Sequence, residues 1–130
     1  MKIAIIEDDR SVAGEIGELL LSISNDIDYF IFSSAELYFD YINNNEGSVD
    51  VIIMDFNLEE EYNGLTLAED IIKNENAFKG LFVFYTGMGG VIFEMRLKFS
   101  KVKNYKYLKK GPDSLKELEE IIEEMVDWYV

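Results

Sequence analysis

Val49-Asp50-Val51-Ile52-Ile53-Met54-Asp55-Phe56-Asn57-Leu58 is the stretch that decides the fold. Its apolar run ends abruptly in an acid. A run this short and this apolar suits a strand covered on both faces, the usual state of strands in a parallel sheet. The chain repeats the device upstream, where Ile3-Ala4-Ile5-Ile6 runs straight into Glu7-Asp8-Asp9.

Between these two runs, Val12, Ile16, Leu19, Leu20 and Ile23 recur at helical spacing. A second strand is expected over Ile27 to Phe32. Ser34 can then cap a helix carrying Leu37, Tyr38, Tyr41 and Ile42. Downstream, Leu65, Ala68, Ile71 and Ile72 mark a third helix, and Leu81 to Tyr85 a fourth strand ending at Thr86. Val91, Ile92, Met95 and Phe99 suggest a short fourth helix, and Tyr105, Tyr107 and Leu108 a fifth strand leading into Lys109-Lys110. In the last helix Ser114 and Glu117 have the spacing of a capping box. Leu115, Leu118, Ile121, Ile122, Met125 and Tyr129 form its apolar face, and Glu119, Glu120, Glu123, Glu124 and Asp127 its polar face.

Strand and helix thus alternate five times. Parallel strands need crossover connections, so the helices must cover both faces of one sheet. The expectation is a single α/β domain over residues 1–130, a doubly wound five-stranded parallel sheet flanked by five helices.

Composition narrows the chemistry. The 130 residues include neither Cys nor His, which excludes thiol nucleophiles, Ser-His-Asp catalysis and Cys or His metal ligands. With 26 acidic and 12 basic residues the net charge is -14, which disfavours direct binding of this segment to nucleic acid or to an anionic membrane. The four apolar residues before Glu7 are too few for a signal peptide, and Leu81 to Phe93 is broken by Thr86, Gly87, Gly89 and Gly90, so no membrane span is expected and a cytoplasmic location fits.

In doubly wound sheets functional groups gather at the carboxyl ends of the strands. Here those ends carry Glu7, Asp8 and Asp9, then Asp55 with Asn57 two residues on, then Thr86, then Lys109 and Lys110. Singly these are ordinary loop acids, a turn hydroxyl and surface lysines. Together they place carboxylates, a hydroxyl and an ammonium at one edge. Close carboxylates repel, and oxygen ligands favour a hard cation such as Mg²⁺. An Asp carboxylate can attack phosphorus, while a hydroxyl and an ammonium hold phosphoryl oxygens.

With those residues in view, the chain resembles the receiver domains of two-component response regulators, over essentially its whole length. The matching segments are IAIIEDD, VDVIIMDFNL, NGLTLAEDI, FVFYTG and YKYLKKG. The resemblance implies a flavodoxin-like fold with Asp55 as phosphoacceptor. It implies Mg²⁺ held by Glu7, Asp8, Asp55 and the backbone carbonyl of Asn57. It also makes Thr86 the conserved hydroxyl and Tyr107 the switch aromatic, and its Y-L-x-K pattern favours Lys110 over Lys109 as the phosphate-binding lysine. A sensor histidine kinase would be the phosphoryl donor, and the domain would catalyse only its own phosphorylation and dephosphorylation. The chain departs from the commonest pattern in three places. Glu59 stands where Pro is usual, Gly64 comes one residue late, and Gly111 follows the lysine where Pro is common. The longer loop through Asn63-Gly64 looks more like that of LytTR-type regulators.

Two other functions use similar parts. A receiver-like interaction module would work without phosphorylation. A phosphatase of the haloacid dehalogenase type also has a nucleophilic Asp, but at the first strand and with a second Asp two residues on, where this chain has Asn57. Seven of the 12 basic residues lie between Arg96 and Lys110, beside the acidic last helix. That asymmetry suits a homodimer formed through the fourth helix, fifth strand and fifth helix.

Overall fold

A computed structural model describes residues 1–44, 49–55, 64–74, 80–87 and 91–128. The element order is β1 (Lys2–Ile6), α1 (Arg10–Ile23), β2 (Asp28–Phe32), α2 (Ala35–Asn44), β3 (Val51–Met54), α3 (Gly64–Asn74), β4 (Leu81–Thr86), α4 (Val91–Phe99), β5 (Tyr105–Lys109) and α5 (Ser114–Trp128). All strand pairs are parallel, in the order β2-β1-β3-β4-β5. The order reverses direction between β1 and β3, which opens a crevice at the carboxyl ends of those two strands.

The sheet divides the core into two layers. Ala4, Ile6, Ile52, Met54, Phe82 and Phe84 face the side covered by α2, α3 and α4, where Tyr38, Leu67, Ile71 and Leu97 meet them. Ile3, Ile5, Val51, Ile53, Val83 and Tyr85 face the other side, against Ile16 and Leu20 of α1 and Leu118 and Ile122 of α5. This explains the continuous apolar runs: every residue of β3 and β4 is buried, because both of their faces are covered. The edge strands β2 and β5 mix buried, half-buried and exposed positions.

Local chemistry sets several boundaries. Asp9 caps α1, its Oδ1 accepting from the Ser11 N–H at 2.9 Å and the Ser11 hydroxyl at 2.8 Å. The Ser34 hydroxyl accepts from the Leu37 N–H at 3.2 Å, the cap expected for α2. β3 begins two residues later than its apolar run; just before it, the Asp50 N–H donates to the Lys2 carbonyl at 2.8 Å and the Asp50 side chain accepts the Lys2 N–H at 2.8 Å. Gly17 of α1 is buried over β2, where an added Cβ would lie 2.9 Å from the Tyr29 ring. Gly14 faces open space.

Three sequence expectations are corrected. The capping box of α5 is not formed: the Ser114 hydroxyl turns back to Gly111 and Tyr85, and the Glu117 N–H bonds the Asp113 carbonyl at 3.1 Å. Of the four apolar residues read on α2, Leu37 is 49% exposed, whereas Tyr38 is buried, together with Ala35. Met95 is 51% exposed, and Leu97 is buried on α4. Apolar residues occur all round the α4 sequence, so spacing could not choose its inward face. Asn57, Glu59 and most of the loop before Gly64 that suggested LytTR-type regulators, together with Gly89, Gly90 and Tyr129, lie outside the described residues.

Candidate functional site

The sheet ladder continues one residue beyond three of its strands, and this is what assembles the site. The Glu7 N–H donates to the Phe32 carbonyl at 3.0 Å and the Asp55 N–H to the Ile6 carbonyl at 3.2 Å. The Lys110 N–H donates to the Thr86 carbonyl at 2.8 Å. Each functional side chain therefore leaves backbone that is already paired, at the first position past the strand.

Glu7, Asp8 and Asp55 each turn a carboxylate oxygen to a common point, with these oxygens within 4.8 Å of one another. The Lys110 Nζ lies 2.6 Å from the Glu7 Oε1 and 3.3 Å from the Asp55 Oδ2, bridging the two acids. Among the described residues this is the lysine that the fold turns into the acid cluster; Lys109 lies exposed on β5. Thr86 is fully buried at the end of β4. Tyr107 is half-buried on β5 and packs on the layer shared with α2, α3 and α4. Burial holds its hydroxyl pKa above the usual value, with a further push from the Glu94 carboxylate of α4. The third acid of the run, Asp9, is spent as the α1 cap, and its hydrogen bonds from Ser11 and Val12 hold its pKa below the usual carboxylate value.

Glu7 is the unusual member. It is 3% exposed, and its Oε2 is buried without a hydrogen-bond partner. Burial raises its pKa to about 7, against the pull of the Lys110 ammonium and with a further push from Asp55. For Lys110, burial lowers the pKa, but the contacts with Glu7 and Asp55 outweigh it and hold the value above normal. With all three acids ionised, three negative charges face one positive charge. The two left over match one divalent cation, and the donor set is all oxygen, as a hard cation requires. The unpartnered Oε2 is a ready ligand atom.

No protein-family model and no curated protein matches the sequence. Solved structures do. The response regulator receiver protein from Pseudoalteromonas atlantica superposes with a TM-score of 0.77 at 14% identity, covering 100% of both chains. The fold is that of a receiver domain. The response regulatory domain of protein mrkE from Klebsiella pneumoniae matches this receiver fold with a TM-score of 0.75 at 21% identity, over 99% of this chain and 98% of that one. The Mn²⁺-bound form of response regulator Rcp1 matches with a TM-score of 0.73 at 16% identity, over 98% of this chain and 93% of that one. No helix among the described residues of the receiver fold is long and apolar enough to cross a membrane.

Sequence reasoning had marked Glu7, Asp8, Asp55, Thr86 and Lys110, and the receiver fold brings all five to its carboxyl edge. It missed the direct Glu7–Lys110 ion pair and the hydroxyl of Tyr85, which bonds Ser114 at 2.8 Å just behind Lys110. Tyr85 closes an apolar run, and nothing in that run distinguishes it from its core neighbours.

Proposed function

We propose that the chain is the phosphoacceptor domain of a two-component signal transduction system. A partner sensor histidine kinase phosphorylates Asp55 in a Mg²⁺-dependent reaction, and the domain changes conformation to control an output domain or partner. The observation that carries this reading is the bridging of Glu7 and Asp55 by Lys110, beside Asp8, at the topological switch of the sheet.

Glu7, Asp8 and Asp55 would hold the Mg²⁺, with the Asn57 carbonyl as the ligand implied by family resemblance. The Mn²⁺-bound state of the Rcp1 structure supports a divalent site in this fold. When bound, Mg²⁺ supplies the charge that offsets the phosphoryl oxygens. The remaining work falls to the chain. An Asp55 carboxylate oxygen attacks the phosphorus of phosphohistidine; the new O–P bond forms as the P–N bond breaks and imidazole leaves. Lys110, charged and already against Asp55, gives its ammonium to a phosphoryl oxygen, and the Thr86 hydroxyl donates to another. Thr86 turns inward and Tyr107 packs into the space released, which alters the surface of α4, β5 and α5. The domain turns over no external substrate, acts in the cytoplasm and does not itself bind nucleic acid or membrane. The exposed Arg96 and Lys98 of α4, the exposed Lys106 of β5 and the exposed Glu120, Glu123 and Glu124 of α5 support a homodimer through that surface.

The test is incubation with Mg²⁺ and acetyl phosphate, read by intact mass, with Asp55→Asn alongside. The expected result is a phosphoryl-sized gain in the wild type alone. A gain in neither protein would move the reading to an interaction module that works without phosphorylation.

A further inference from the structure

We propose that Tyr85 is a positioning residue for Lys110, acting through Ser114 and Gly111. The inference rests on the phosphoacceptor reading and names what holds its lysine in place.

Lys110 is the last paired residue of the β4–β5 ladder, and the chain then turns through Gly111, Pro112 and Asp113 into α5. Gly111 has no side chain to fix this turn. The Ser114 hydroxyl does so instead, donating to the Gly111 carbonyl at 2.8 Å and accepting from the Gly111 N–H at 3.2 Å. The Gly111 carbonyl also accepts the Ser114 N–H at 3.2 Å, and the Tyr85 and Ser114 hydroxyls share a 2.8 Å hydrogen bond in which either one can donate. Tyr85, buried in the layer beneath α1 and α5, thereby anchors the residue that follows Lys110.

The same side chain acts on Lys110 from a second side. The Nζ lies 5.7 Å from the centroid of the Tyr85 ring, within the range of a cation–π contact. The ring limits where the ammonium can swing, and the hydroxyl, through Ser114, limits where the backbone carrying it can move. Lys110 is 25% exposed, and its ammonium is otherwise held by Glu7 at 2.6 Å and Asp55 at 3.3 Å. Tyr85 thus acts on both ends of the lysine that spans these two acids.

Tyr85→Phe isolates the hydroxyl and keeps the ring in the core. The measurement is beryllofluoride binding in Mg²⁺, with Mg²⁺ binding measured separately. The expected result is beryllofluoride binding weakened by roughly two- to tenfold, the worth of one hydrogen bond, with Mg²⁺ affinity little changed and the thermal midpoint lowered by about a few degrees while the fold is kept. Ser114→Ala should weaken beryllofluoride binding similarly. In a Lys110→Ala background, Tyr85→Phe should have no further effect, because its route to the phosphoryl group is gone. Equal losses from Tyr85→Phe with and without Lys110, or unaltered beryllofluoride binding in Tyr85→Phe, would overturn the inference while leaving the phosphoacceptor reading intact. A wild type that binds no beryllofluoride would overturn both.

Discussion

Removing the charge from Glu7 should stabilise the metal-free protein. Glu7 is buried, has one oxygen without a partner, and has its pKa raised from 4.5 to about 7. An acid whose pKa is raised by folding takes up a proton as the chain folds. Its contribution is therefore most favourable below pH 4.5, declines as pH rises from 4.5 to about 7, and stays at its worst above that. A shift of about 2.5 units at 1.36 kcal/mol per unit gives a penalty of about 3 kcal/mol at pH 8. The shift already includes the pull of Lys110, and Glu7→Gln mimics the protonated acid, so the expectation is a gain of up to about 3 kcal/mol at pH 8. Urea unfolding in chelator at half-unit steps from pH 5 to pH 8 measures it. The stability of Glu7→Gln relative to wild type should grow from pH 5 to about pH 7 and then level off. A difference that stays flat, or shrinks with rising pH, would refute the reasoning. In excess Mg²⁺ the ranking should reverse, because wild type gains the binding energy and the variant lacks a ligand.

Asp9→Ala removes the α1 cap and should lower the melting temperature at neutral pH. Because the cap works as an anion with a depressed pKa, the gap from wild type should close only when pH falls below the ordinary carboxylate range, as followed by circular dichroism. Gly14→Ala should stabilise the chain by about 0.5–1 kcal/mol in chemical denaturation, since the site is exposed and meets nothing. Gly17→Ala should lack that gain, because its Cβ meets the Tyr29 ring at 2.9 Å. Sedimentation of the beryllofluoride-bound protein should show a dimer at low salt that weakens as salt rises; a monomer at all salt concentrations would exclude pairing through α4, β5 and α5.

The central strands were legible because their environment leaves no alternative. A segment such as Val51 to Met54, covered on both faces, must be apolar throughout, and its end is marked by the first acid. The site was legible for a related reason: Glu7, Asp55, Thr86 and Lys110 each stand at or just past a strand end, so finding the strands located the residues. What the sequence concealed depends on distant partners. Asp50 reads as one polar residue in an apolar run until Lys2 is seen beside it. Ser114 and Glu117 have capping spacing, yet Tyr85 and Gly111 claim the serine. Nothing in Ile3-Ala4-Ile5-Ile6-Glu7 separates a buried acid from a solvated one. Spacing left Lys109 and Lys110 open, whereas strand alternation turns one outward and the other into the cluster.

The bridge from Lys110 to Glu7 joins residues 103 positions apart in the chain. Contacts this remote close a long loop and form only after local structure is in place. On the proposed function, a nascent chain still missing β5 would have Asp55 but no lysine to receive the incoming phosphoryl charge, so competence to take the signal would be tied to completion of the fold.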